Sequence, residues 1–189
     1  MKTKDLTVGA FIIAIIAMMT FIPQLGFITI FGVASVTLIH IPVLISAITF
    51  DKITNSIIAG SAFGLCSLLN AFLRPTTITA PLFQNPLISV LPRIIFALFA
   101  YYLFRFLIKH TNKKTAAIAT AIIAPLFHTV MVVGLMFVFG KSIFNTSFIA
   151  LLSSIVLSNG IIELALAVLL VPTIGLALRK SLNQSRRLA

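Results

Sequence analysis

The chain has 189 residues, 60% of them hydrophobic and 9% charged, with 14 Lys and Arg against 3 Asp and Glu for a net charge of +11. An ordinary soluble domain is roughly 25% charged, so this chain cannot clothe an apolar core in polar groups and is not a soluble enzyme. Its cations lie between apolar blocks rather than on one basic face with interleaved aromatics, which also excludes a nucleic-acid groove. The expected fold class is all-α: a single integral membrane domain of six transmembrane helices, since a lone spanning segment satisfies its backbone polar groups only as a helix.

The first predicted helix, Thr7 to Ile22, runs into Pro23 and further apolar chain rather than a small-residue cleavage site, so it is read as a retained span. Ala10, Ala14 and Ala17 share one of its faces, and small residues at this spacing let helices approach closely in lipid. Its connection, Pro23 to Gly32 (PQLGFITIFG), is too apolar for a solvated loop. The second helix, Val33 to Phe50, is short and carries His40 and Pro42. The third, Thr54 to Phe72, places Ser56, Gly60, Gly64 and Ser67 on a face that contains G-x-x-x-G, with Cys66 inside and Asn70 at its end. A single cysteine excludes an intrachain disulfide and a cysteine-cluster metal site.

The next connection, Leu73 to Asn85 (LRPTTITAPLFQN), is apolar and hydroxyl-rich. Together with the first it is expected to fold back over the bundle. The fourth helix, Pro86 to Ile108, contains Arg93. The fifth, Thr115 to Phe139, contains His128. The sixth, Phe148 to Leu178, contains Asn159 and Glu163.

Eleven Lys and Arg fall on the side of the termini, two (Arg74 and Lys141) on the other, and Arg93 within a span. The bias predicts a cell-membrane protein that spans several times with both termini cytoplasmic.

At a rise of about 1.5 Å per residue, Arg93 lies about 10 Å below the outer end of its helix, and His128 and Asn159 about 16 Å below theirs. Polar groups on three helices at similar depth suit a ligand site open to the outside. An ionisable side chain at membrane depth costs roughly 2.5–3.5 kcal/mol, so it calls for a partner. For Arg93, beside a helix N-terminus, that partner is an anionic ligand group or, alternatively, Glu163. Asn70, Asn85, His128 and Asn159 are the candidates for the ligand's polar middle. No metal ion and no cofactor is expected, because no carboxylate or cysteine accompanies the histidines at ligand spacing.

There is no H-E-x-x-H, no G-x-S-x-G and no glycine-rich phosphate loop, so no catalytic residue is predicted and energy from ATP has to come from another chain. Matching broken segments in two halves, the mark of a stand-alone secondary transporter, are missing as well.

Four features together resemble one family, the substrate-binding S-components of energy-coupling factor (ECF) transporters. They are six short helices in under 200 residues, the A-x-x-x-A of the first helix, the apolar connections, and the strings FIPQLGFITI, TLIHIPVLISAI, AGSAFGLCSLLNAFLRP and NPLISVLPRI. The strings are most similar to the pantothenate-type members, while related members for pyridoxine-like and pyrimidine vitamins share the plan. The resemblance implies a vitamin-capturing subunit completed by a membrane scaffold protein and two ATPases, with Ala10 and Ala14 touching the scaffold. One departure is plain: besides Arg93, only Arg74 and the histidines could help bind a carboxylate. The reading from another class is a ligand-free membrane assembly factor, in which Arg93 simply pairs with Glu163.

Overall fold

Where the apolar runs are longest the chain folds as long helices, and the interruptions fall where glycine, proline or polar residues cluster. The structure, a computed structural model, describes residues 3–30, 34–75, 80–140, 148–155 and 160–187. In chain order the elements are α1 (Thr3–Phe21), α2 (Pro23–Gly26), β1 (Phe27–Ile30), β2 (Ala34–Thr37), α3 (His40–Thr49) and α4 (Ile53–Leu73). They continue with α5 (Ala80–Phe83), α6 (Pro86–Ser89), α7 (Leu91–His110), α8 (Lys113–Phe139), α9 (Phe148–Ile155) and α10 (Ile161–Arg187).

Four helical stretches among the described residues are long and apolar enough to cross a membrane: Ile53–Leu73, Pro86–His110, Lys113–Phe139 and Ile161–Gln184. Two more, Leu6–Phe21 and His40–Thr49, are apolar but shorter. Large apolar side chains such as Phe11, Leu69, Phe106, Val138 and Leu169 are exposed along these helices. A surface of that kind belongs against lipid.

The helix expected from Val33 is corrected. Ala34–Thr37 is a strand paired antiparallel with Phe27–Ile30, Phe27 opposite Thr37 and Ile30 opposite Ala34, and helix resumes only at His40. Two short strands satisfy each other's N–H and C=O groups, so they escape the rule that forces a lone segment into a helix. The Leu38 N–H donates to the Gly26 carbonyl at 3.0 Å and closes the base of the hairpin. The expected fourth helix is likewise divided into α6 and α7 around Val90; of the sixth, 148–155 and 161–178 are helical, residues 156–159 lie outside the described residues, and α10 continues to Arg187.

Helix α3 is central. All ten of its residues are buried, as expected of a helix that is apolar on every side, and it packs against α1, α4, α7 and α10. Helices α4 and α7 approach most closely. A Cβ on Gly60 would stand 2.7 Å from both the Ala97 Cβ and the Arg93 carbonyl oxygen, and one on Gly64 would stand 2.8 Å from the Val90 Cα. The glycine stripe is therefore spent on packing inside the bundle.

Hydrogen bonds fix both ends of the bundle. At the end away from the termini, Arg74 Nη1 donates to the Phe21 carbonyl at 3.0 Å, joining the exit of α4 to that of α1. Gln84 Nε2 donates to the Ala71 carbonyl at 3.2 Å, which holds α5 against α4. At the basic end, Asp51 in the turn between α3 and α4 receives Arg179 of α10 at 2.6 Å and Arg105 of α7 at 3.4 Å. Arg179 also donates to the Ile48 carbonyl at 2.8 Å, and Arg105 to that of Phe50. Two guanidiniums thereby hold the last carbonyls of α3.

Candidate functional site

Arg93 is the third residue of α7, placed there because Pro92 suits the first turn of a helix, where its missing N–H is no loss. Long helical side chains lean back toward the N-terminus, and Arg93 does so: its Nη1 donates to the Ile88 carbonyl of α6. Its guanidinium carbon lies 5.4 Å from the ring centre of Phe63 on α4 and 5.2 Å from that of Phe83 on α5. The residue is buried, and its Nε has no hydrogen-bond partner among the described residues.

Among those residues no carboxylate lies within ion-pair distance of Arg93. Glu163 is engaged elsewhere, accepting the Thr37 N–H at 2.6 Å. The alternative Arg93–Glu163 pair is thus corrected: Glu163, in the first turn of α10, reaches the base of a hairpin where helix was expected. Arg93 is left as a buried cation in the first turn of a helix, where the backbone dipoles already favour negative charge. Both facts raise the local potential for an anion.

His128 of α8 and Arg93 lie against the same ring, that of Phe63. The His128 ring centre is 4.8 Å from that of Phe96 and 6.0 Å from that of Phe63, and Arg93 and His40 are both close enough to act on it electrostatically. The Nε2 atoms of His128 and His40 are buried without partners among the described residues, as is the Nε of Arg93. Each such group left unmade costs about 1–3 kcal/mol. Several together call for a polar occupant. Helices α3, α4, α5, α7 and α8 therefore supply a cation, two imidazoles and three phenyl rings, a setting that suits a small anion with polar substituents and an aliphatic body.

The other predicted residues are dispersed. Asn70 is half-buried on α4, two turns beyond Phe63 on the same face. Asn85 caps α6, its side-chain oxygen accepting the Leu87 N–H at 3.0 Å. Asn159 lies outside the described residues. Ala10 and Ala14 are exposed on α1 and line an apolar groove of about 770 Å³ between α1, α3 and α10. No group of three His, Cys, Asp or Glu that could hold a metal ion occurs among the described residues.

Three participants escaped the sequence. Phe96 was within reach, being one turn from Arg93 on α7, where side chains three apart share a face. Phe63 and Phe83 come from other segments, and no spacing along the chain links them to Arg93. The Asp51 cluster is similar: its arginines read as ordinary membrane-flanking cations.

Residues 4–175 match the family described as the substrate-specific component of ECF transporters. The chain is also similar to the pantothenate transporter PanT of Leuconostoc mesenteroides subsp. mesenteroides, 32% identical over 188 residues that cover 92% of this chain and 91% of that one. To the pantothenic acid transporter PanT of Lactococcus lactis subsp. cremoris it is 29% identical over 162 residues, covering 79% of this chain and 80% of the relative.

Proposed function

This chain belongs to the substrate-specific components of ECF transporters, and from that premise we propose that it captures pantothenate from outside the cell and passes it inward when a membrane scaffold protein and two ATPases reorient it. In this reading both termini are cytoplasmic, as the distribution of Lys and Arg suggests. The shorter apolar helices, Leu6–Phe21 and His40–Thr49, then complete six crossings, the second shielded by its neighbours.

The observation that carries the proposal is Arg93, a buried guanidinium without a carboxylate partner among the described residues, beside an imidazole that also lacks one. Pantothenate is a carboxylate with an amide and hydroxyls on an aliphatic frame. The guanidinium takes the carboxylate by charge-assisted hydrogen bonds. His128 and Asn70 serve the amide and hydroxyls, as does Asn159, and Asn85 retains its amide N–H groups while its oxygen caps α6. The rings of Phe63, Phe83 and Phe96 enclose the methyl groups. Purified protein should retain radiolabelled pantothenate, and excess pyridoxine or hydroxymethylpyrimidine should not displace it. Displacement by either would transfer the site to that vitamin.

Capture and transport separate at the groove on α1. Leucine at Ala10 and Ala14 together would fill a surface suited to a close-packed partner helix. Cellular uptake is expected to fall at least tenfold while the purified variant binds pantothenate within about twofold of the parent. Loss of both activities would place the stripe in the internal packing of the bundle.

The chain by itself is expected to transport nothing. It has no phosphate-binding loop, and in liposomes it should bind pantothenate without concentrating it. Accumulation should require the scaffold, both ATPases and ATP. Uptake by the lone chain on a proton or sodium gradient would make it a secondary transporter.

A further inference from the structure

The basic end of the bundle holds a second concave feature, a cavity of about 410 Å³ remote from Arg93. Lys113 at the start of α8 forms one wall, and Leu176, Arg179, Lys180, Asn183 and Gln184 of α10 form the rest. The α10 residues are spaced i, i+3, i+4, i+7 and i+8, so they make one continuous helix face. Three cations and two amides converge there, with no carboxylate in the lining. A bias of Lys and Arg to one side of the membrane accounts for their number, not for their convergence on one cavity.

The charge is only partly compensated. Arg179 pairs with Asp51, but that carboxylate also meets Arg105, so two guanidiniums share one negative charge. The one carboxylate of α10 itself, Glu163, is about 24 Å away along the helix and bonded to Thr37. Lys113 and Lys180 are both exposed at the cavity.

The position of the cavity on α10 points to the form of the anion. From Ile161 to Leu178 the helix is apolar apart from Glu163 and Thr173, whereas from Arg179 onward it reads RKSLNQSRR. The cavity straddles that change, with Leu176 on the apolar side and the cations and amides on the other. This is the level at which acyl chains give way to headgroups, and basic pockets between helices at that level are suited to anionic lipids.

We propose that this cavity is a binding site for the phosphate headgroup of an anionic phospholipid, with Lys113 and Lys180 pairing with the phosphodiester and the amides of Asn183 and Gln184 donating to the headgroup hydroxyls. The site stands apart from the vitamin site and does not depend on which vitamin is carried. A soluble phosphate offers the same chemistry without an acyl chain along the apolar flank, so the two sources can be told apart.

The full-length protein in a neutral detergent is titrated with dioctanoyl phosphatidylglycerol, dioctanoyl phosphatidylcholine and inorganic phosphate, with binding followed by native mass spectrometry. The phosphatidylglycerol is expected to bind saturably at one equivalent, with at least tenfold preference over phosphatidylcholine. The double variant Lys113→Gln, Lys180→Gln is expected to lose that preference while still binding pantothenate, and Lys180→Glu to reverse it by repelling the phosphodiester. Equal binding of the two lipids, or an unchanged preference in the double variant, would overturn the proposal. Binding of inorganic phosphate as tight as that of phosphatidylglycerol would overturn the lipid assignment.

Discussion

Replacing Arg93 with methionine is expected to weaken pantothenate binding by about 10- to 150-fold while the protein stays folded. The range corresponds to loss of a hydrogen-bonded partner of a charged group, about 1.5–3 kcal/mol. The fold should largely tolerate the change because, among the described residues, Arg93 neutralises no carboxylate, so what is lost is one hydrogen bond to the Ile88 carbonyl and no buried negative charge is stranded. Methionine also fills the space between the Phe63 and Phe83 rings with a flexible apolar chain that packs well against aromatics. Calorimetric titration and a thermal melt on the same preparation read the two effects separately. A clear fall in melting temperature with unchanged affinity would make Arg93 a structural cation.

The second large effect concerns Gly60. Alanine there places a methyl group 2.7 Å from the Arg93 carbonyl oxygen and the Ala97 Cβ, so α4 and α7 have to separate. Overpacking of this kind costs typically 1–3 kcal/mol, and leucine at the same position is expected to prevent accumulation of folded protein. Because the displaced backbone is that of Arg93 itself, Gly60→Ala should lose stability and affinity together, unlike Arg93→Met. Gly9 and Gly134 serve as controls: an added Cβ at either meets nothing within 4 Å, so alanine there should be neutral or slightly stabilising through helix propensity. Equal melting temperatures for Gly60→Ala and the two controls would show that the helices part without penalty.

The helical membrane character of the chain was legible because it follows from solvation: an apolar block of about 20 residues without a paired strand satisfies its backbone in lipid only as a helix. Family membership was legible in particular strings, above all the one that ends in Leu91, Pro92, Arg93 and Ile94. The hairpin was not. Ile28, Thr29 and Ile30 facing Val36, Ser35 and Ala34 offered β-branched residues on both sides of Gly32. Yet pairing is a property of two segments, and a reading that treats each segment alone assigns helix. The same limit applies at the site. Depth along a helix follows from residue counting, and Arg93 and His128 each lie against the Phe63 ring. Which aromatic side chains face them depends on the rotation of each helix about its axis, which only packing sets. The partner of Glu163 was hidden for the same reason, since Thr37 lies on a strand where the apolar run predicts helix.

The closeness of α4 and α7 also bears on how the surroundings of Arg93 can move. With glycines pressed against backbone at two successive turns, these helices form a door frame that does not widen. Among the described residues, the small pieces hung between them are the parts held most lightly on this side. Helix α5 carries Phe83 against the guanidinium and is fastened by Gln84 to Ala71, while the Ser89 hydroxyl donates to the Phe83 carbonyl. Side-chain hydrogen bonds of this sort break one at a time, and segments held by them move in nanoseconds to microseconds, whereas parting packed helices takes microseconds to milliseconds. A solute arriving from this side would therefore meet a fast latch in a slow frame, and its residence time would be governed by its own bonds to Arg93 rather than by the pace of the helices.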